Sequence, residues 1–513
     1  MRALGQLDHR TQLTVTTSDS LEVNGLEDLD PCRAALAGLC HVAGQETPQL
    51  GVRRIDLSGQ DLEANVKALT HELHLPSPPA STAWRGGMRW TLDYTPLPLP
   101  PLTDLPAGPE RPIRRGGCYV ILGDLTGGLG WVWLRELTAR YEASVVVIET
   151  TDHSIDPRLE SCAAEVQRLP RSSDRESAAA LLRQRLEDIR TRYGVPRGLF
   201  FSSPTTSAES TAPLSLLSRM HWDYNQAAKI EPLEALADAY EAIAADSTAS
   251  SQRKSSAPDF VCVQSSMASV IAGLGLAGYS AANHQVDTIS ALRNRDSDTP
   301  WISIQFDACR DRPNDLEPKP DSGSGLGAGL ADFALSANEI WEVTERIVTQ
   351  APAGHVAVSR GVLSARIDEW ILSSPRDRAG EEVGGEAKGR LHERPDLATP
   401  YREAADDVEA KLVEIFQSSL GIDRVGVDDD FFELGGHSLL AIQMIAKLRE
   451  AFPVEIEIQQ LIGDTPTVAN VAAAVRSRLP SSDELDAMAV LLEEIRSEEL
   501  EQTESPDRES TDG

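Results

Sequence analysis

Cys118-Tyr119-Val120-Ile121-Leu122 runs directly into Gly123-Asp124-Leu125-Thr126-Gly127-Gly128-Leu129-Gly130, and this stretch decides the fold of the larger part of the chain. The first five residues form an apolar run of the length that a buried strand has. Trp131–Tyr141, after the glycine-rich turn, reads as a helix. Such a turn can hold a dinucleotide pyrophosphate, because backbone N–H groups at a helix N-terminus attract negative charge. Gly128 and Gly130 are the candidate cofactor-binding residues.

Short apolar runs recur through residues 113–375, and helical patterns separate them. They are Cys118–Leu122, Ser144–Ile148, Gly198–Phe201, Asp259–Val263 and Trp301–Ile304. Short buried strands that alternate with helices predict an α/β fold with a Rossmann-like parallel sheet. Residues 402–480 read instead as a small helical bundle. Its first helix carries an apolar face made of Val408, Leu412, Ile415 and Phe416.

Composition excludes several classes of protein. The 513 residues predict two to four domains at about 150 residues each. A net charge of −32 argues against nucleic acid as a partner, because binding phosphates requires a basic face. No apolar run reaches the ~18 residues of a membrane span. The six cysteines are scattered without metal-ligand spacing, which predicts a cytoplasmic protein and no metal site.

Changes in composition divide the chain. Proline-rich and glycine/glutamate-rich stretches contain few apolar residues and are typical of linkers. The predicted segments are an N-terminal domain (1–95), a proline-rich linker (96–112), the α/β domain (113–375), a second linker (376–401), the helical bundle (402–480) and an acidic tail (481–513).

A second motif lies further along the α/β domain. Ser266 ends an apolar strand, and a glycine-rich turn leads into a helix that carries Tyr279 and Asn283 four residues apart, on one face. This arrangement resembles the ketoreductases of modular polyketide synthases, which are short-chain dehydrogenases. The resemblance implies NADPH or NADH as cofactor and Tyr279 as proton donor to the developing alkoxide. It also implies that Ser266 binds the same oxygen, that Lys229 places a cation beside Tyr279, and that Asn283 orders a relay water.

The resemblance extends to the N-terminal domain. Gly38–Pro48 and Arg54–Leu57 are similar to the structural subdomain of such ketoreductases. Residues 1–95 are about half as long as that subdomain. They are therefore interpreted as a reduced subdomain, or as one that a neighbouring protein completes.

Several positions depart from the family pattern. Asp124 stands where the first loop glycine is expected, and Thr150 replaces the arginine that would hold a cofactor 2′-phosphate. Glu149 suits a ribose diol, and Arg171 or its neighbours replace the aspartate expected beside the adenine. Phe201-Ser202-Ser203-Pro204 replaces His-Ala-Ala-Gly. Two hypotheses remain: the domain reduces a tethered β-ketone with an altered cofactor mode, or it is a structural remnant. The departures favour the remnant, because catalysis requires the whole cofactor site.

The helical bundle contains Gly435-Gly436-His437-Ser438, and an apolar helix pattern with Met444 and Leu448 follows. With the preceding Asp430-Phe431-Phe432, this stretch resembles the phosphopantetheine attachment site of carrier proteins, which are four-helix bundles. The resemblance implies that a phosphopantetheinyl transferase attaches 4′-phosphopantetheine to Ser438. Acyl thioesters on that arm would pass to and from other synthase subunits that supply condensation and loading. The alternative is that Ser438 is an ordinary helix N-cap.

The acidic tail has two interpretations. Residues 481–513 contain twelve acidic and two basic residues. Leu485, Met488, Leu492 and Ile495 recur at three- and four-residue steps, which predicts an amphipathic helix. The tail is either a docking element for the next synthase subunit or a solvated extension.

Overall fold

The computed structural model describes residues 11–47, 50–59, 61–75, 80–104, 111–125, 129–150, 156–170, 174–203, 209–246, 257–309, 333–350, 354–368, 371, 394, 397, 399–420, 422–431, 434, 444, 447–448, 451–452 and 467–477. The sequence predictions for Gly128, Arg171, Ser438 and the acidic tail lie outside these residues. The chain divides into two compact units, residues 1–320 with 330–386 and residues 321–329 with 387–513. The finer domain boundaries stay predictions.

The N-terminal part of the first unit is a small sheet with helices. Its strands are β1 (Thr11–Ser18), β2 (Leu50–Leu57), β3 (Ser81–Arg85) and β4 (Met88–Trp90), in the order β1-β2-β3-β4. The first three are parallel, and β4 is antiparallel to β3. Its helices are α1 (Pro31–Ala34), α2 (Leu36–Glu46) and α3 (Leu62–Leu73). Asp30 and Asp61 begin α1 and α3, because their carboxylates accept backbone N–H groups of the first turn.

A larger parallel sheet follows, as predicted. Its strands are β5 (Cys118–Gly123), β6 (Ser144–Glu149), β7 (Glu165–Arg168), β8 (Gly198–Ser202), β9 (Phe260–Ser266), β10 (Trp301–Phe306) and β11 (Gly354–Val358). Their order is β11-β10-β9-β8-β5-β6-β7, and every neighbouring pair is parallel. The order reverses between β5 and β8. In open α/β sheets, ligands bind at this switch point, beyond the carboxyl ends of the strands.

Helices cover both faces of the large sheet. They are α4 (Leu129–Tyr141), α5 (Pro157–Cys162), α6 (Arg175–Tyr193), α7 (Arg219–Asn225), α8 (Glu231–Asp246), α9 (Ala277–Asp296), α10 (Ala337–Gln350) and α11 (Leu363–Ile367). A π-helical turn, Gln226–Ile230, joins α7 to α8. Alternate residues of β5 enter different cores, since successive side chains of a strand point to opposite faces. Tyr119 and Ile121 pack on one face, and Val120 and Leu122 on the other.

The second unit contains α12 (Asp407–Leu420) and α13 (Val468–Arg476). The predicted apolar face of the first helix is confirmed, because Leu412, Ile415 and Phe416 are buried in the core of this unit. Met444 and Leu448 are fully buried in the same core. No helix in the part of the chain that the structure describes is long and apolar enough to cross a membrane.

Candidate active site and carrier site

Two strand ends meet at the switch point of the large sheet. Gly123 of β5 lies directly opposite Ser202 of β8 in the parallel register. Gly123 has a φ of +132°, and a Cβ atom there would lie 1.8 Å from the Ser202 carbonyl oxygen. Only glycine fits so close an approach. Gly123 is therefore the glycine that this turn requires, and Asp124 follows it.

The hydroxyl of Ser202 fills the space between the turn and α4. Its Oγ donates to the Asp124 carbonyl oxygen at 3.0 Å and lies 3.2 Å from the side-chain oxygen of Gln264. A Cβ atom on Gly130, in the first turn of α4, would lie 2.5 Å from the same Oγ. Ser202, which departs from the family pattern, is thus packed between the turn after β5 and the first turn of α4.

Backbone donors of the turn are bonded within the protein. The Asp124 N–H donates to the Ser202 carbonyl oxygen at 3.1 Å. The Leu125 N–H donates to Oε1 of Glu149 at 3.3 Å, and the Glu149 side chain is buried. Residue Thr150 is also buried, and its N–H donates to the Gly123 carbonyl oxygen at 3.2 Å. These contacts place the Glu149 carboxylate against the backbone of the turn that follows β5.

Lys229 and the three residues of the second motif come from three separate elements, and Lys229 lies against the Tyr279 ring. Ser266 ends β9, and its Oγ accepts the N–H of Ala268 at 3.2 Å. Tyr279 and Asn283 both lie in the first half of α9 and are buried. Lys229 lies in the π-helical turn. Turns of this type often occur at functional sites in helices, because they redirect side chains that a regular helix would aim elsewhere.

Lys229 joins the end of β8 to Tyr279. Its Nζ donates to the Oγ of Ser203 at 3.0 Å and lies 4.2 Å from the centroid of the Tyr279 ring. Burial lowers the pKa of Lys229 to about 7, although the charges of Asp124 and Asp287 act in the opposite direction. The lysine therefore changes protonation near neutral pH, and its Nζ binds the Ser203 hydroxyl.

Asn283 leaves one polar atom unsatisfied. Its Nδ2 donates to the Tyr279 carbonyl oxygen at 2.8 Å. Its Oδ1 is buried and has no hydrogen-bond partner among the residues that the structure describes. Buried polar atoms are rarely left without a partner, and an ordered water is the usual one. The geometry is compatible with the relay water that the sequence resemblance implies.

Sequence reasoning missed the contact between Lys229 and Ser203. It singled out Ser203 only as a departure from the family pattern. The two residues are 26 positions apart, and a π-helical turn aims the lysine. Periodicity cannot predict such a turn. The buried hydroxyl after an apolar strand was the one available signal.

The second unit is built around the aromatic residue that precedes the carrier motif. Phe431 is fully buried, and its ring meets that of Phe416 edge-on at a centroid distance of 5.9 Å. Asp429, also fully buried, accepts two hydrogen bonds from the Arg394 guanidinium, at 2.8 and 2.6 Å. The predicted linker therefore contributes Arg394 to the folded unit.

Comparison with known families matches both parts of the chain. Residues 117–311 match the family described as "KR domain", and residues 410–475 match the family described as "Phosphopantetheine attachment site". The chain combines a KR domain with a phosphopantetheine carrier domain. The predicted order, ketoreductase-like domain followed by carrier domain, is confirmed. The KR domain implies a nicotinamide dinucleotide, and the carrier domain implies 4′-phosphopantetheine.

Curated relatives are peptide synthases. The chain is 46% identical over 150 residues to Tyrocidine synthase 3 of Brevibacillus parabrevis, and 45% identical over 75 residues to Gramicidin S synthase 2 of Brevibacillus brevis. These matches cover 28% and 15% of this chain. The matched part spans only 2% of the length of either relative.

Solved structures share the fold of the KR domain. A multidomain structure of a keto acid-selecting nonribosomal peptide synthetase module, with adenylation, ketoreductase and pseudo Asub domains, has a TM-score of 0.56 at 18% identity and covers 72% of this chain and 30% of that one. The ketoreductase from the first module of phoslactomycin biosynthesis in Streptomyces sp. HK803 has a TM-score of 0.53 at 19% identity, with 71% and 79% coverage. The predicted Rossmann-like fold of the ketoreductase type is confirmed.

The described residues of the KR domain fit a nicotinamide dinucleotide poorly. The Ser202 side chain fills the cradle, and the Leu125 N–H already binds a carboxylate. The carboxylates of Asp124 and Glu149 adjoin the turn in which a pyrophosphate would lie, so like charges would repel. Lys229, which the resemblance places beside Tyr279, directs one of its N–H donors to Ser203. Among the described residues, Lys229 lies beside Tyr279, whereas Ser202, Asp124 and Leu125 bind one another or Glu149 at the end of β5.

Proposed function

We propose that this chain is a subunit of a peptide or hybrid peptide–polyketide assembly line that carries an acyl intermediate on Ser438. A phosphopantetheinyl transferase attaches the arm from coenzyme A, and neighbouring subunits load, extend and remove the acyl group. The KR domain serves a structural role rather than acting as a reductase. One observation carries the carrier function: the phosphopantetheine family match spans 410–475 and includes Gly435-Gly436-His437-Ser438.

The packing of the second unit supports this role. Phe431 and Leu434, which precede Gly435-Gly436-His437-Ser438 in the sequence, are buried in the core with Met444 and Leu448. The core therefore holds Leu434, immediately before Gly435–Ser438, and Met444, six residues after Ser438. Gly435 and Gly436, close to Ser438 in the sequence, would give a transferase an unhindered approach to its hydroxyl. The similarity to peptide synthases supports an amino- or hydroxyacyl cargo as well as a polyketide.

The contacts that Ser202 and Asp124 make at the switch point support a structural role for the KR domain. Hydride transfer requires the dinucleotide to lie across the switch point. There, Ser202 Oγ contacts the Asp124 carbonyl, and the Asp124 N–H binds the Ser202 carbonyl. Opening this region would break both hydrogen bonds and leave polar groups unsatisfied.

The second candidate function is reduction of a ketoacyl thioester, and the convergence of Lys229, Tyr279 and Asn283 favours it. In that case Tyr279 would donate the proton, Ser266 would bind the same oxygen, and a water on Asn283 Oδ1 would replenish the proton. The nicotinamide would supply the hydride. The fold shared with a keto acid-selecting module supports testing 2-ketoacyl as well as 3-ketoacyl substrates.

Arm attachment tests the carrier function. The full chain is incubated with coenzyme A and a broad-specificity transferase, and its mass is measured. We expect a gain of one phosphopantetheine, lost in Ser438→Ala and retained in the control Ser477→Ala, a serine of the same unit. Failure of the unaltered chain to gain mass, or loading that persists in Ser438→Ala, would contradict the proposal.

Nicotinamide titration separates the two roles of the KR domain. NADPH and NADH are titrated into the holo chain by cofactor fluorescence, and 2- and 3-ketoacyl pantetheine thioesters are then added. We expect no saturable binding. Saturable binding with thioester reduction that disappears in Tyr279→Phe but not in Tyr224→Phe would establish the reductase instead.

A further inference from the structure

The last two residues of α2 reach into the KR domain beside its candidate active site. We define the site turn as residues 271–276, which lie between Ser266 and Tyr279, and the facing segment as residues 209–217. Gln45 contacts the site turn, and Glu46 contacts both regions. Neither residue belongs to the second motif or to the cofactor cradle.

The site turn is strained. Ala272 has a φ of +58°, in the left-handed region that non-glycine residues avoid. Gly273 and Gly275, with φ of +142° and +73°, continue this conformation. Non-glycine residues in such conformations persist only where the surroundings hold them, and they cluster at functional sites.

Gln45 holds the strained residue from both sides. Its Nε2 donates to the Ile271 carbonyl oxygen at 2.9 Å, and its Oε1 accepts the Gly273 N–H at 2.9 Å. The two bonded peptide groups flank Ala272. One amide side chain therefore satisfies both backbone groups that the left-handed residue turns away from regular structure.

Glu46 joins the site turn to the facing segment. Its carboxylate oxygens accept the Gly275 N–H at 2.7 Å and the Leu214 N–H at 2.5 Å. The Ala212 N–H completes this connection by donating to the Gly275 carbonyl oxygen at 2.9 Å. The Glu46 carboxylate thus fixes the distance between the site turn and the facing segment.

Apolar packing supports the same contact. Val42 of α2 is buried in a small cluster with Ala272 and Ala277, and Leu214 and Leu217 of the facing segment pack against it. Gly38, two turns before Gln45, touches the first turns of α9 closely enough that a Cβ atom would lie 2.4 Å from Ala281 N. The helix α2 therefore packs closely against the start of α9 and the site turn.

We propose that Gln45 and Glu46 are positioning residues: they hold the turn that precedes Tyr279 in its strained form and tie it to the facing segment. The N-terminal part of the chain thereby sets the shape of the site that a carried acyl group would enter. This inference concerns the form of the site and does not depend on whether the KR domain reduces its cargo.

Hydrogen–deuterium exchange of the full chain tests the proposal. In Gln45→Ala, amide exchange should rise about tenfold in peptides that cover the site turn, because two hydrogen bonds are lost. In Glu46→Ala, exchange should rise in peptides that cover both the site turn and the facing segment. Glu72→Gln is the matched control: Glu72 is buried in the same N-terminal part, where it binds Trp84 and Arg89. It should leave both regions unchanged.

Rescue distinguishes positioning from general destabilisation. Ala272→Gly relieves the left-handed strain, so Gln45→Ala should raise exchange by a smaller factor in the Ala272→Gly background. If Gln45→Ala does not fold, the same exchange measurement is made on Gln45→Glu. This variant retains the acceptor for the Gly273 N–H and loses the donor to the Ile271 carbonyl oxygen, so exchange in the site turn should still rise. Three outcomes would overturn the proposal. In the first, amide exchange in the Gln45 and Glu46 variants stays within twofold of the unaltered protein; in the second, Glu72→Gln raises exchange equally. In the third, Gln45→Ala raises exchange by the same factor with or without Ala272→Gly.

Discussion

Lys229 links the strand ends to the tyrosine of the second motif, and its surroundings decide its charge. The side chain is only 1% exposed, and its Nζ binds the Ser203 hydroxyl. Burial lowers the pKa of Lys229 from 10.5 to about 7. The folded protein therefore holds fewer protons than the unfolded chain between pH 7 and 10.5. Over this window, Lys229 makes the free energy of unfolding rise with pH.

Lys229→Met should remove that dependence. One pKa unit corresponds to about 1.4 kcal/mol, so the stability of Lys229→Met relative to the unaltered chain should fall by roughly 3 kcal/mol between pH 7 and 9.5. Urea unfolding followed by tryptophan fluorescence measures this, because all eight tryptophans belong to the first unit. Lys67→Met, an exposed position of the same unit, is the control and should show a difference independent of pH. A pH-independent difference for Lys229→Met would contradict the assignment.

Individual residues of the site were predictable only where local periodicity fixes them. Tyr279 and Asn283 lie four residues apart on one helix, and the structure places them there. The partner of Lys229 was not predictable, since its direction depends on a π-helical turn. The need for Gln45 was equally hidden, because the left-handed Ala272 that it flanks has no sequence signal.

Elements of the large sheet were predictable in proportion to their burial. Strands β5, β6, β8, β9 and β10 are buried on both faces and appear in the sequence as continuous apolar runs. The edge strand β7, Glu165–Arg168, has four residues and is half-exposed. This strand is defined by its pairing with β6, and it has no apolar pattern from which the sequence could have predicted it. The helix α4 begins at Leu129, two residues before the predicted start.

The ion pair between Arg394 and Asp429 attaches the segment before α12 to the second unit. Removing one partner of a buried ion pair leaves the other charge without compensation, at a cost of about 3 kcal/mol. Arg394→Ala should therefore accelerate amide exchange in α12 by about two orders of magnitude. Arg402→Ala removes an exposed pair with Asp428 and is the control, with an expected cost of less than about 1 kcal/mol. Equal exchange in both variants would contradict this prediction.

The whole molecule combines two units of unequal character. In the described residues of the first unit, one hydrophobic core lies on each face of the seven-stranded sheet. The second unit has a smaller core of its own. The sequence predicted both fold types, because strand runs and a helical face differ in period. The net charge of −32 includes twelve acidic residues after residue 480. Both interpretations of this tail, a docking element for the next synthase subunit and a solvated extension, stay predictions.

The guanidinium of Arg394 has a practical consequence for building chimeric synthases. A carrier excised at residue 402, where the sequence pattern of the bundle begins, would leave the buried Asp429 carboxylate without its cation. A splice junction near residue 387, at the start of the compact unit, would retain the arginine. Grafts cut at this earlier junction should keep the carrier folded when it is transplanted beside a foreign catalytic domain.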